Sequence, residues 1–176
     1  MAPQLTEAEC KQFANPEYLG VVCASLLLKQ PLANYYVTNI TDEGYPFTAV
    51  IEMTALVDPQ EFGGRSLVYL PRYAGSDDEA WQWSDDEVRN RFVAALGRMY
   101  PHFDEEQVEA FRVSRAPHVM ALPTLGYSAT LPSLSTSLGS VFVVNSAHIV
   151  KGTLNVNEVI DLADDALVRL QGALLP

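Results

Sequence analysis

The chain is expected to fold as α+β, with a mainly antiparallel, mixed sheet of about five to six strands flanked by helices and a C-terminal strand–loop–helix. Three features predict it. Apolar, β-branched and aromatic runs recur at short intervals up to Tyr73, separated by Gly, Pro, Asn and Asp. Ser84-Asp85-Asp86-Glu87 is then a capping box, followed by Val88, Phe92, Leu96 and Met99 at helical spacing. Finally, the stretch Gly139–Glu158 runs from an apolar segment through a polar turn into an amphipathic one.

Taken in order, Thr6-Glu7-Ala8-Glu9 is another capping box and predicts a short helix from Glu7 to Phe13, stopped at Asn15-Pro16. Tyr18–Lys29 is near-continuously apolar and reads as a long strand buried on both faces. Strands are expected over Tyr35–Ile40, Phe47–Leu56 and Ser66–Tyr73, with Pro71 marking an end or an edge. Their short spacing predicts an antiparallel meander. After the helix Asp85–Met99 and a short turn at Asp104–Gln107, Val108–Arg115 alternates like a half-exposed strand. Ala116–Ser137 reads as a long irregular loop. Val141–Val144 reads as a buried strand, and Val156–Leu170 as a helix with Val159, Ala163, Ala166, Leu167 and Leu170 as its apolar stripe. The expected division is an α+β domain over residues 1–138 and a strand–loop–helix over 139–176.

Composition narrows the function. The 176 residues are 48% hydrophobic with a net charge of −11, an ordinary globular balance with an acidic surface that repels phosphate backbones and anionic lipid. Nucleic acid is therefore not an expected partner, and no apolar run is long enough to span a membrane. The N-terminus lacks the basic-then-apolar pattern of a signal peptide, and Cys10 and Cys23 have no metal or redox spacing. A cytoplasmic location with free thiols is the expectation.

Motifs for common chemistries are missing. Neither GxGxxG nor GxxxxGK[ST] occurs, His102, His118 and His148 lack ligand spacing, and the acidic clusters lack a calcium-loop pattern. No metal site is expected, and no side chain stands out as catalytic. Trp81 and Trp83 read as anchors pinning a loop to the core. Of the pair Tyr35-Tyr36, alternation puts one ring toward the core and leaves the other for a ligand. Asn155 has the sequence of a plain helix N-cap, with Glu158 three residues on.

The segment FVVNSAHIVKGTLNVNEVIDLA resembles the C-terminal FAD-binding segment of the flavin amine oxidase and protoporphyrinogen oxidase-like oxidoreductases. Upstream, YLGVVCASLLLKQPL, the stretch from Tyr35 to Tyr73, WQWSDDEV and Met99-Tyr100-Pro101 are similar, in order, to the substrate-binding domain of that family. The resemblance implies FAD as cofactor. It places Asn145 and Ser146 by the flavin's phosphate–ribityl side, and Thr153, Leu154 and Asn155 at its pyrimidine edge. Asn145 departs from the glycine–aspartate pattern usual in relatives. The strands Tyr35–Ile40 and Ala49–Thr54 become the wall facing a small-molecule substrate, with Tyr35, Glu52 and Thr54 as its candidate contacts. Met53-Thr54 stands where relatives often carry histidine-threonine, so the substrate class does not carry over. The family's N-terminal dinucleotide-binding half is the implied missing partner. Without it, tight FAD binding and activity are not expected, and self-association through an exposed apolar face is. The other reading is a stand-alone, non-enzymatic binding module on the same fold.

Overall fold

The computed structural model describes residues 4–139 and 141–174; Ser140, inside the expected strand–loop–helix, lies outside them. The chain forms two compact units, Leu19–Val119, and Met1–Tyr18 with Met120–Pro176.

In the first unit a five-stranded sheet has the order β2-β3-β4-β1-β5. Its strands are β1 (Tyr18–Leu28), β2 (Val37–Asn39), β3 (Ala49–Glu52), β4 (Ser66–Ala74) and β5 (Val108–Ala121). The α+β expectation holds, with this sheet and four α-helices among the described residues. The meander holds only for β2–β3–β4. β1 lies on the far side of β4, in register from Gly20↔Ala74 to Leu28↔Ser66. The two most apolar strands thus pair along their length, which buries more surface than pairing β1 with the three-residue β2 would. Gly20 against Ala116, and the Lys29 N–H donating to Gln107 O at 2.9 Å, make β5 antiparallel to β1.

β1 is not buried on both faces. Val22, Ala24, Leu26 and Leu28 have no exposure, while the residues between them are half-buried. Its uniform apolarity therefore hid an ordinary two-faced strand. Pro71 lies inside β4, not at its end. Its carbonyl accepts both the Thr48 N–H at 2.8 Å and the Thr48 hydroxyl at 2.9 Å. The N–H that proline lacks belongs on that same side, next to the start of β3, where the ladder is ending anyway. β5 runs six residues beyond Arg115, so the first part of the expected Ala116–Ser137 loop is strand. Pro117 is tolerated because β5 is an edge.

Helix α2 (Asp85–Met99) matches its sequence signals. The Ser84 hydroxyl accepts the Glu87 N–H, and the Glu87 carboxylate accepts the Ser84 N–H. Val88, Phe92 and Leu96 are fully buried, in one core with the inward residues of β1 and β4. Phe92 meets Phe47 edge-on with ring centroids 5.2 Å apart. Trp83 joins this core, flanked by Arg91 at 4.3 Å and Arg72 at 5.1 Å from its ring. Arg72 also makes a two-pronged pair with Asp78. Burial opposes ionisation of Asp78, but the Ala80 N–H and the Arg72 guanidinium outweigh it and hold the carboxyl below its ordinary range.

In the second unit, helix α1 (Glu7–Ala14) carries the expected capping box at Thr6 and Glu9. Helix α3 (Tyr127–Thr130) is a single turn, and helix α4 (Val156–Leu174) is the long one. The Leu122 N–H donates to Glu17 O at 2.8 Å, so the chain segments leading into β1 and out of β5 are tied together. Val141–Val144 does not form the buried strand expected. It makes one isolated bridge, Ser135↔Phe142, supported by the Val143 N–H on Leu134 O, and Val141 and Val144 stay 39% and 37% exposed. The polar Ser133–Ser137 segment is its ladder partner among the described residues, so no sheet covers it.

A Cβ on Gly20 would lie 2.6 Å from the Trp81 ring and 2.7 Å from Ala116 O, whereas one on Gly97 in α2 meets nothing within 4 Å. Gly20→Ala should therefore lower stability by about 1–3 kcal/mol, and Gly97→Ala should raise it by up to about 1 kcal/mol, both read by urea unfolding. Glu9 accepts from Thr6 and from the Ser137 N–H and hydroxyl, and these bonds hold its carboxyl at about 2 against an ordinary 4.5. A lowered carboxyl stabilises above its unfolded value and loses that contribution as pH falls through the folded one. The stability difference between the wild type and Glu9→Gln should be constant above pH 4.5 and shrink toward pH 2. Thermal melts of both proteins across that window check it.

Candidate functional site

At the β2–β3 end of the sheet, Glu52 closes β3 and is only 2% exposed. Its carboxylate accepts four hydrogen bonds, two at each oxygen. Oε1 takes the Leu32 N–H at 2.9 Å and the Ser66 hydroxyl at 3.4 Å. Oε2 takes the Ala33 N–H at 3.2 Å and the Asn34 N–H at 2.9 Å. Thr54 lies in the 3₁₀ turn Met53–Ala55, and its hydroxyl is 2.8 Å from that of Ser66. Since Ser66 donates to Glu52, it accepts from Thr54, giving a directed chain Thr54→Ser66→Glu52. Glu52 also helps push the Tyr100 phenol upward, after burial, while a hydrogen bond from Thr38 works the other way.

Tyr35 and Tyr36 precede β2 instead of lying in it, and both are exposed, at 69% and 44%. The expected strand starts late because Asn34 adopts φ +57, a left-handed conformation that Asn tolerates better than most residues. Alternation begins only at Val37, so neither ring is core. Tyr35, Tyr36, Val37, Leu56 and Val57 are exposed apolar residues near this end. Of the three candidate substrate contacts, Glu52 and Thr54 are joined through Ser66, and Tyr35 sits one residue beyond the turn that Glu52 holds.

In the second unit, Asn145 caps the 3₁₀ turn Ser146–His148. Its side chain accepts the Ala147 N–H at 3.0 Å, and Nδ1 of His148 lies 3.3 Å from its backbone N–H. The Tyr127 hydroxyl donates to Ala147 O at 2.7 Å, and the His148 Nε2 lies 3.3 Å from Pro132 O. Burial raises the Tyr127 phenol above its ordinary value, with Tyr18 adding to the shift. The polar side chains of Asn145 and His148 are thus committed to folding this turn.

Gly152 then turns the chain at φ +83, with the Glu158 carboxylate where a Cβ would be, 2.5 Å away. The Asn155 side chain accepts the Glu158 N–H at 3.0 Å and donates to Thr153 O at 3.0 Å. This is the N-cap read from sequence, except that Glu158 packs over Gly152. Thr153, Leu154, Asn155, Val156 and Asn157 are all exposed. A helix leaves its first N–H groups without intrahelical partners, so those of Val156 and Asn157 face outward at an open positive end.

Of the stripe read along α4, Ala166 and Leu170 turn inward and the other three residues do not. Ala166 is buried and Leu162 and Leu170 are half-buried, but Val159, Ala163 and Leu167 are exposed, as are Val156, Ile160 and Val168. The inward row borders a cleft of about 750 Å³ whose wall includes Pro132, His148, Lys151, Asp161, Asp165 and Arg169. Among the described residues no group of three or more His, Cys, Asp or Glu is arranged to hold a metal, and no helix is long and apolar enough to cross a membrane.

The sequence profile of the flavin containing amine oxidoreductases matches residues 1–155. The chain belongs to that family. Solved structures share its fold. An oxidoreductase from Methanosarcina mazei superposes with TM-score 0.64 at 17% identity, covering 94% of this chain and 38% of its own. A protein provisionally named a protoporphyrinogen oxidase, from Exiguobacterium sp. 255-15, superposes with TM-score 0.67 at 12% identity, covering 97% of this chain and 37% of its own. The chain thus spans less than two-fifths of either structure. No curated protein matches the sequence. For an amine oxidoreductase-family chain, the matched region takes in both the Glu52 network and the loop up to Asn155, and ends where α4 begins.

Sequence reasoning missed the turn at Leu32–Asn34. Pro31 followed by Asn34 is a turn signal that was available. The junction of that turn with Glu52 was not, because 18 or more residues separate the partners. One prediction concerns the cap: Asn155→Ala should cost about 1 kcal/mol and fray the start of α4, while Asn155→Asp should stay within about 0.5 kcal/mol of the wild type. Thermal melts with circular dichroism check both.

Proposed function

We propose that this chain supplies the substrate-side sheet and one edge of the flavin site of an FAD-dependent, amine oxidase-like oxidoreductase. The observation that carries the reading is the family match over residues 1–155. The open N-terminus of α4 fits one edge of a flavin. Backbone N–H groups and a positive dipole end are exposed after Thr153, Leu154 and Asn155, where negative charge on a reduced ring would be favoured. Asn145 and Ser146 would shape the turn on the phosphate–ribityl side. Nothing in the sequence offers a glycine-rich pyrophosphate loop.

FAD, when bound, supplies hydride acceptance from a C–H bond of the substrate. The residues of this chain bind and orient. Tyr35 and Thr54 are the proposed substrate contacts on residues 35–54, and Glu52 acts from beneath them. The exposed row Val156, Ile160 and Leu167 on α4 would be covered by a dinucleotide-binding half. The proposed setting is the cytoplasm, and the proposed ligand of the sheet is a small molecule.

The 176-residue chain by itself should be inactive and should give no bound-flavin spectrum on titration with FAD. In sedimentation it should self-associate with rising concentration. Co-expression with a dinucleotide-binding half should restore a stoichiometric yellow cofactor. A tightly bound flavin on the chain alone, or a monomer at high concentration, would overturn the reading.

A further inference from the structure

We infer that Glu52 is a positioning residue: its carboxylate holds the left-handed turn at Leu32–Asn34 and thereby sets the exposed pair Tyr35 and Tyr36. The tie is made from two directions. The Glu52 side chain takes the N–H groups of Leu32, Ala33 and Asn34, at 2.9, 3.2 and 2.9 Å. The Glu52 backbone N–H donates to Tyr36 O at 2.9 Å. One residue therefore grips the chain on both sides of Tyr35.

A direct role in binding is closed to this carboxylate. It is 2% exposed, and its two oxygens already take four donors, which fills their acceptor capacity. The three convergent N–H groups also explain why the turn survives with Asn34 at φ +57. The left-handed conformation costs a non-glycine residue energy, and bonds to a charged acceptor are strong enough to offset it. Downstream of the turn the chain enters β2, where Val37↔Ile51 and Thr38↔Val50 lock the register. Tyr35 and Tyr36 are the residues between the two fixed points, and they are exposed. Through Ser66, the same carboxylate is linked to Thr54, so both proposed contact residues are oriented from one buried group.

What the tyrosines meet rests on the substrate-side reading above; the grip itself does not, and it is tested without any ligand. In the isotope-labelled 176-residue chain, Glu52→Gln keeps the size of the side chain but presents an NH₂ donor to backbone donors. Amide exchange at Leu32, Ala33 and Asn34 should speed up roughly tenfold or more, with a much smaller change at Ala24 and Leu26. The ring signals of Tyr35 and Tyr36 should shift or broaden. Adding Asn34→Gly to Glu52→Gln should restore part of the original ring signals, because glycine removes the cost of the left-handed turn. Unchanged exchange at 32–34, or equal acceleration throughout β1 with no recovery by Asn34→Gly, would overturn the inference. If Glu52→Gln does not fold, Asn34→Val decides. It strains the turn while leaving the carboxylate, and should disturb the Tyr35 and Tyr36 rings with β1 protection retained; undisturbed rings would overturn it.

Discussion

The burial of one face of β1 is the constraint on which unit Leu19–Val119 depends. Val22, Ala24, Leu26 and Leu28 point into a core completed by Val68 and Leu70 of β4 and by Val88, Phe92 and Leu96 of α2. Burying a side chain of this size stabilises by about 1.5–3 kcal/mol, so the inward row outweighs any single hydrogen bond in the unit. β1 lies between β4 and β5, and β2 and β3 stand at the far end of the sheet beyond β4. That position is what leaves Tyr35, Tyr36 and Leu56 exposed. The candidate substrate surface follows from where the core had to be.

This acidic chain uses its carboxylates in two ways. Most are solvated, but a few act as acceptors for backbone N–H groups that would otherwise lack partners. Glu52 holds a left-handed turn, Glu9 ties α1 to Ser137, Asp78 caps a 3₁₀ turn while pairing with Arg72, and Glu87 closes the start of α2. Each fixes a loop beside a rigid element. Their shared chemistry separates roles that sequence cannot: Asp77 and Asp78 are adjacent, and only the second is shown holding a backbone N–H and a guanidinium.

The C-terminal region is organised differently. The side chains of Asn145, His148 and Asn155 are engaged in local turns, and α4 buries one narrow row while a broader apolar row stays exposed. An exposed apolar row on a helix this long is the mark of a surface meant to be covered. It supports the proposal that a dinucleotide-binding half completes the flavin site, and it explains why the periodicity of α4 predicted the helix but only part of its inward face, Ala166 and Leu170. Val159, Ala163 and Leu167 satisfy a helical stripe as well as Leu162, Ala166 and Leu170 do. Periodicity gives a stripe, and only the neighbours decide which stripe is covered.

Local signals were enough wherever a few adjacent residues set the energy. Both capping boxes, the span of α2, the N-cap at Asn155 and the Trp81–Trp83 loop anchors were legible because caps and helical faces act over three or four residues. The family resemblance was legible from ordered segments and is matched over residues 1–155. Tertiary structure alone decided the place of β1 in the sheet, the loss of a strand at Val141–Val144, and the environment of Glu52. Each depends on partners distant in sequence. An apolar run becomes a buried strand only if a ladder and a cover reach it, and a glutamate becomes an anchor only if three backbone N–H groups converge on it.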